Sequence, residues 1–292
     1  LHPFFALMLA AVAAGLLSRI GSLPGEPQKS HWVQAVELAT AELGTTAGKI
    51  GLVIALASII GMCMSESGAA DKVVRRFLAV FGEKRSALAL LIASYVLSIP
   101  IFFDTFFMLL VPIAQALALR TGRSYTLYVL AIISGGVVTH SLVAPHPGPL
   151  TMSEILKVDL GFSIIAGLLI GVPALAAMWF AARHIAGRLD IPVRAVARAG
   201  TDAESMKRLA DRPESELPGF WISLAPVVVP VFLIGLASAV AAVPAWRASS
   251  PRSAAFFEFV GNRNVALMVA AVLALGLLAR RKRLRPAELG PV

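Results

Sequence analysis

Long apolar runs alternate with short polar, mostly basic stretches along this chain. The runs cover residues 3–18, 44–64, 86–119, 125–145, 161–182, 219–245 and 265–279. A helix needs about 20 mostly apolar residues to cross a bilayer, so each run is a candidate crossing. The last run is short and can begin earlier, near Phe256. Run 86–119 is too long for one crossing and holds Pro100, Asp104 and Pro112. It predicts two segments with a tight break near Pro100–Asp104, going in and returning on one side. Gly44, Gly48, Gly51 and Lys49 leave 44–64 open as a full crossing or a re-entrant hairpin. Residues 31–43 set Trp32, Val36, Leu38 and Leu43 among polar positions, the pattern of an interfacial amphipathic helix. Residues 195–217 are polar and predict a partly helical linker. The predicted organisation is a membrane bundle over 1–182, a cytoplasmic linker over 183–217 and a further group of spans over 218–292.

Composition sharpens this picture. Of 292 residues, 58% are hydrophobic and 15% charged, and the mean hydropathy is +0.80. A disordered chain has the opposite balance, and a soluble enzyme of this length cannot bury so much apolar surface in one core. The fold class predicted is an all-α polytopic membrane protein with broken or re-entrant segments. The net charge of +9 is gathered in blocks between the runs, as the positive-inside rule requires. No aromatics interleave with a basic face, so nucleic acid is not an expected partner. Residues 72–85, the Arg120–Arg123 turn, 183–217 and the Arg280–Arg285 tail are predicted cytoplasmic. Residues 146–160 carry Lys157 alone and are predicted outside, or folded back into the bundle. The chain begins at Leu1 without a charged leader and stops after a basic tail, so both ends read as fragment boundaries. One cysteine, Cys63, excludes a disulfide framework and a Cys-rich metal site.

Chemistry inside a membrane is expected where glycine, proline or ionisable residues interrupt an apolar run. The first such cluster is Gly61 to Asp71. Ser65, Ser67 and the backbone at Gly68 can hold a hydroxylated ligand, or the cluster is a helix stop followed by a new helix start. The second is Ser98 to Phe107, with Asp104 and Thr105. A carboxylate at this position faces a cavity as a proton carrier, or meets water at a hairpin tip. The third is Ser134 to Pro149. Gly135 and Gly136 permit unwinding or close helix approach, and Thr139, His140 and Ser141 are polar. Pro145, Pro147 and Pro149 favour extended backbone with free carbonyls, and Gly148 contributes if its φ is positive. The bland alternative for this cluster is a proline-rich outer loop beside a satisfied core histidine. His140 and His146 do not have the i, i+4 spacing of a helical metal pair, and no metal or cofactor is expected. Motifs for nucleotide binding, zinc proteolysis and serine hydrolysis are missing from the sequence.

The stretches GMCMSESGAADKV at 61–73, FFDTFFMLLVP at 102–112, VVTHSLVAPHPGP at 137–149 and SLAPVVVPVFL at 223–233 resemble the gluconate:proton symporter family of the ion-transporter superfamily. The resemblance implies proton-coupled uptake of a sugar acid or related hydroxy acid across a bacterial inner membrane. It also implies two inverted-topology halves with broken helices, so that 1–182 is one repeat and 218–292 the truncated start of the second. The expected substrate contacts are Ser65, Ser67, Gly68, Thr105, Thr139, His140, Pro145, His146, Pro147 and Gly148. Asp104 and His140 are the expected proton-coupling residues. The partners expected are a gluconate-like organic anion, protons, the lipid bilayer and a second copy of the chain. Two other readings remain open: an intramembrane enzyme using His140, His146 and Asp104, and a fragment that inserts without transporting.

Overall fold

The computed structural model describes residues 2–18, 30–189, 191, 213–243 and 250–283. All regular structure among them is helical: α1 (Pro3–Leu17), α2 (His31–Glu66), α3 (Ala69–Phe81), α4 (Ser86–Leu97), α5 (Phe103–Thr121), α6 (Tyr125–Leu142), α7 (Pro147–Ile155), α8 (Leu160–Arg188), α9 (Phe220–Ala241), α10 (Pro251–Val260) and α11 (Arg263–Lys282), with short 3-10 turns at Glu83–Arg85 and Glu214–Glu216. Among the described residues six stretches are long and apolar enough to cross a membrane: α2, α5, the α6–α7 stretch, α8, α9 and α11. This is the polytopic bundle that the hydropathy predicts. Helix α1 has 15 residues, rises about 22 Å and falls short of that length.

The chain divides into two compact units, Leu1–Leu52 and Val53–Val292. In the first, Gly15 packs on Ala35, so that a Cβ at Gly15 would lie 3.1 Å from the Ala35 Cβ. The His31 ring nitrogen Nε2 lies 2.9 Å from the Leu16 carbonyl oxygen.

In the second unit α6 packs on α4, α5 and α8, and α9 packs on α3, α8, α10 and α11. Val143, Ala144, Ile164, Ile234 and Ala266 form a buried core cluster where the end of α6 meets α8, α9 and α11. The fully buried Tyr128 ties three helices together: its hydroxyl lies 2.7 Å from Ser86 Oγ and 2.9 Å from Thr121 Oγ1. Burying these hydroxyls without one another would cost about 1–3 kcal/mol each.

One end of this unit gathers ion pairs: Lys72 with Glu214 at 2.8 Å, Arg120 with Glu83, and Lys282 with Glu66. The other end carries the Arg263–Glu154 pair and Asp159, which caps α8 by accepting from Phe162 N at 2.8 Å. The described parts of the stretches predicted cytoplasmic all fall at the first end, here termed the basic end. The linker residues 192–212 and the tail beyond Arg283 lie outside the described residues.

Several expectations need correction. Residues 31–43 are no separate interfacial helix, and 44–64 is no re-entrant hairpin: α2 runs unbroken for 36 residues through Gly44, Gly48 and Gly51. Good helix formers on both sides and the absence of proline keep its hydrogen-bond ladder closed. The last crossing does not extend back to Phe256, because Gly261 and Asn262 separate α10 from α11 and Asn262 caps α11. The run 86–119 does break at 98–102, as predicted, whereas Pro112 lies within a continuous α5.

Candidate functional site

Helix α4 has 12 residues and rises about 18 Å, short of the roughly 30 Å hydrocarbon layer. It starts at the basic end, turns at Ser98–Phe102 and returns as α5, whose Arg120 pairs with Glu83. Asp104 stands exposed in the first turn of α5, near the hairpin tip. A carboxylate there is favoured by the helix dipole, and it lies near enough to act electrostatically on His140.

Helix α6 brings the third cluster to this tip. Gly135 and Gly136 do not unwind it; the helix is continuous to Leu142. They serve close approach instead. A Cβ at Gly135 would lie 2.7 Å from Ser94 Cβ and against the Leu91 carbonyl, and one at Gly136 would run into the Phe106 ring. The chain leaves helical geometry only over Val143–His146, and Pro147 starts α7, where its missing N–H costs nothing. The extended segment expected over Pro145–Pro149 is therefore confined to its first residues. Gly148 is not among the described positive-φ glycines, and a Cβ there would meet nothing within 4 Å.

Two carbonyls at the end of α4 are satisfied by side chains from α6 and the segment after it. Ile99 N–H turns to the Val96 carbonyl at 3.3 Å. The Tyr95 carbonyl at the end of α4 instead accepts from the buried Thr139 hydroxyl at 2.8 Å. The buried His146 places Nε2 2.5 Å from the Ser98 carbonyl, which directs an N–H at this oxygen. His140 and His146 stack with ring centroids 3.6 Å apart and planes 23° apart. Phe102, Phe103 and Phe106 surround them, with centroids 6.2–6.5 Å from His140. His140 Nε2 is buried without a hydrogen-bond partner among the described residues. No third His, Cys, Asp or Glu joins the pair to make a metal-holding group among those residues.

The site therefore joins His140, His146, Thr139 and the turn at 98–105. Thr105 lies on the far side of this turn, where Gly61 of α2 approaches it. Ser65, Ser67 and Gly68 follow at least one helical turn later. Two of the three are used locally: Ser67 Oγ donates to Met64 O at 3.4 Å, and Gly68 takes φ 76° as α3 begins, a conformation for which glycine carries no Cβ penalty. That is the helix-stop reading of the first cluster. Sequence reasoning missed the three phenylalanines and the Tyr95 and Ser98 carbonyls. The dense FFDTFF run carried a signal for the rings. The carbonyls carried none, because only the fold shows which helix ends lie beside which side chains.

Residues 1–289 match the family described as GntP family permease. The chain belongs to the GntP permease family. It is 32% identical to the gluconate permease of Pseudomonas aeruginosa over 277 residues, 94% of this chain and 57% of that protein. It is 30% identical to the Gnt-II system L-idonate transporter of Escherichia coli over 239 residues, 82% of this chain and 52% of that protein. The inner membrane permease YgbN of Escherichia coli is 30% identical over 287 residues, 96% of this chain and 60% of that protein. The chain thus spans about half to three-fifths of the length of these relatives. No solved structure matches it. A GntP-family permease with six crossing-length apolar stretches is a multi-pass protein of the bacterial inner membrane, and its family is one of permeases, not enzymes.

Proposed function

We propose that this chain forms part of a secondary transporter importing gluconate or a related sugar acid by proton symport. The relatives extend beyond the stretch matched here, so the transport cycle is proposed for the protein as the cell makes it. The residues below are this chain's contribution. Residues 1–182 are proposed as one repeat and 218–292 as the start of an inverted second one, with the intervening linker and the basic end facing the cytoplasm.

The observation that carries the reading is the stacked His140–His146 pair at the meeting of two helix breaks. The N-termini of α5 and α7 both start there without a side-chain cap. Unpaired N–H groups and helix dipoles favour an anion, which suits the carboxylate of a sugar acid without a lysine or arginine. His140 Nε2 is free to bond a substrate hydroxyl or carboxylate. Thr139, Thr105 and the backbone at Pro145, Pro147 and Gly148 are proposed as further substrate contacts. In this reading Ser65, Ser67 and Gly68 form a turn and do not touch substrate. Asp104, exposed beside His140, exchanges a proton with the outer solution, and His140 links that proton to the bound anion.

The test is gluconate uptake into vesicles carrying an imposed pH gradient. Asp104→Asn is expected to abolish gradient-driven accumulation while gluconate exchange continues. Undiminished accumulation in that variant would remove Asp104 from coupling and leave it a helix-start residue.

A further inference from the structure

We infer that the cavity between the start of α4, the α5–α6 turn and the end of α8 is a binding site for the phosphate headgroup of an anionic phospholipid. The cavity has a volume of about 570 Å³, and its polar lining includes Lys84, Arg85, Arg123, Arg183 and Ser124. No carboxylate lines it, and none of the four cations forms an ion pair among the described residues. The positive-inside rule explains why cations lie at this end. It does not explain why four converge on one cavity without an acid, when Lys72, Arg120 and Lys282 at the same end each have a carboxylate partner. Ser124 adds a second observation. It precedes α6 without making a side-chain cap, and its hydroxyl oxygen is buried without a partner among the described residues. The cavity thus offers four positive charges, a free hydroxyl donor and the positive end of an 18-residue helix, the donor set that a phosphate diester satisfies.

The depth of the cavity selects a lipid over a soluble phosphate. Helix α8 becomes apolar at Leu160, and Trp179 follows 19 residues later, about 28 Å along the axis. That places Trp179 at the edge of a roughly 30 Å hydrocarbon layer, where tryptophan rings collect. Arg183 lies one turn beyond, its guanidinium 6.0 Å from the Trp179 ring centroid. Leu88 and Leu127 complete the apolar side of the cavity. Leu169, Val172 and Phe180 on α8 are exposed and offer acyl chains an apolar surface leading away from it.

The test uses the purified chain in micelles doped with equal amounts of phosphatidylglycerol and phosphatidylcholine, with retained lipid counted by native mass spectrometry. Wild-type protein is expected to retain phosphatidylglycerol selectively, and an excess of inorganic phosphate is expected not to displace it. Each surface cation is worth roughly five-fold in affinity for an anionic lipid, so the triple variant Arg85→Gln, Arg123→Gln, Arg183→Gln should lower retention roughly a hundredfold. The matching triple Arg→Lys variant keeps the charge and should keep retention, which separates loss of binding from loss of folding. Lys157→Gln with Arg252→Gln, outside the cavity, should change nothing. Equal retention in the Gln triple variant would overturn the proposal. So would displacement by inorganic phosphate, which would make the cavity a soluble-anion site.

Discussion

The chain interrupts its helices at Ser67–Gly68 and again at Val143–His146, and the two breaks are satisfied in different ways. At the first, Ser67 and Gly68 bond within the preceding turn and Asp71 pairs with Arg75 four residues on at 2.9 Å, and the long-range bond beside it is the surface ion pair of Glu66 with Lys282. At the second, the bonds cross the fold, from Thr139 and His146 to carbonyls at the end of α4. A locally closed break is a corner. A break held by long-range side-chain bonds has donors and acceptors that a ligand can take over, because the partner elements can separate. The difference teaches that polar residues in an apolar run mark a site only when their partners are distant in sequence.

The largest effect is expected where α6 approaches α4. Gly135→Leu forces a side chain against the Leu91 carbonyl and Ser94, and should cost about 3 kcal/mol, read as a lower melting temperature in detergent. Gly148→Ala enters open space at ordinary φ and should leave melting unchanged. Equal damage from both would mean that α6 and α4 are not in contact as described.

A smaller effect is expected at the carbonyl that Thr139 serves. Thr139→Val removes the closer donor to Tyr95 O, leaving the longer 3.4 Å bond from Ser98 Oγ, and should cost about 1 kcal/mol, with Thr139→Ser restoring it. Thermal unfolding of the two variants measures this. No loss in the valine variant would return Thr139 to the group of locally satisfied residues.

The smallest effect lies at the basic end. Lys72 holds the Glu214 carboxyl below its ordinary value of 4.5 through a hydrogen bond and its charge, with Arg75 and Arg76 adding to it. A lowered carboxyl stabilises the fold above its unfolded value, and this contribution is lost as the pH falls through the lowered one. Glu214→Gln should therefore flatten that part of the acid limb of a melting-temperature profile and leave the profile unchanged once the pH is below the lowered value. Because Glu214 is exposed, solvent screening keeps the change slight.

The polytopic character, the double segment at 86–119 and the grouping of basic loops were legible in the sequence, because hydropathy and charge are sums over many residues; the number of crossings was not, since the run at 3–18 forms a helix too short to count among the six. The continuity of α2 was not, since Gly44, Gly48 and Gly51 are compatible with either a hinge or a helix when no neighbour is known. Gly135 and Gly136 left unwinding and close approach both open for the same reason: the space they leave is filled by α4 and Phe106, which belong to distant sequence. His140 and His146 were legible as candidates, but their stacking was not. It depends on how Val143–Pro145 turns the chain, and periodicity carries no information about that turn.

The central claim is that substrate binds at the histidine break and not at the serine break. The most direct measurement is equilibrium binding of labelled gluconate to purified His140→Ala and Ser67→Ala proteins beside the wild type. The account predicts that His140→Ala weakens binding tenfold or more, about 1.4 kcal/mol, while Ser67→Ala stays within about twofold. Wild-type affinity in His140→Ala together with loss in Ser67→Ala would contradict it and move the site to the turn at Gly68.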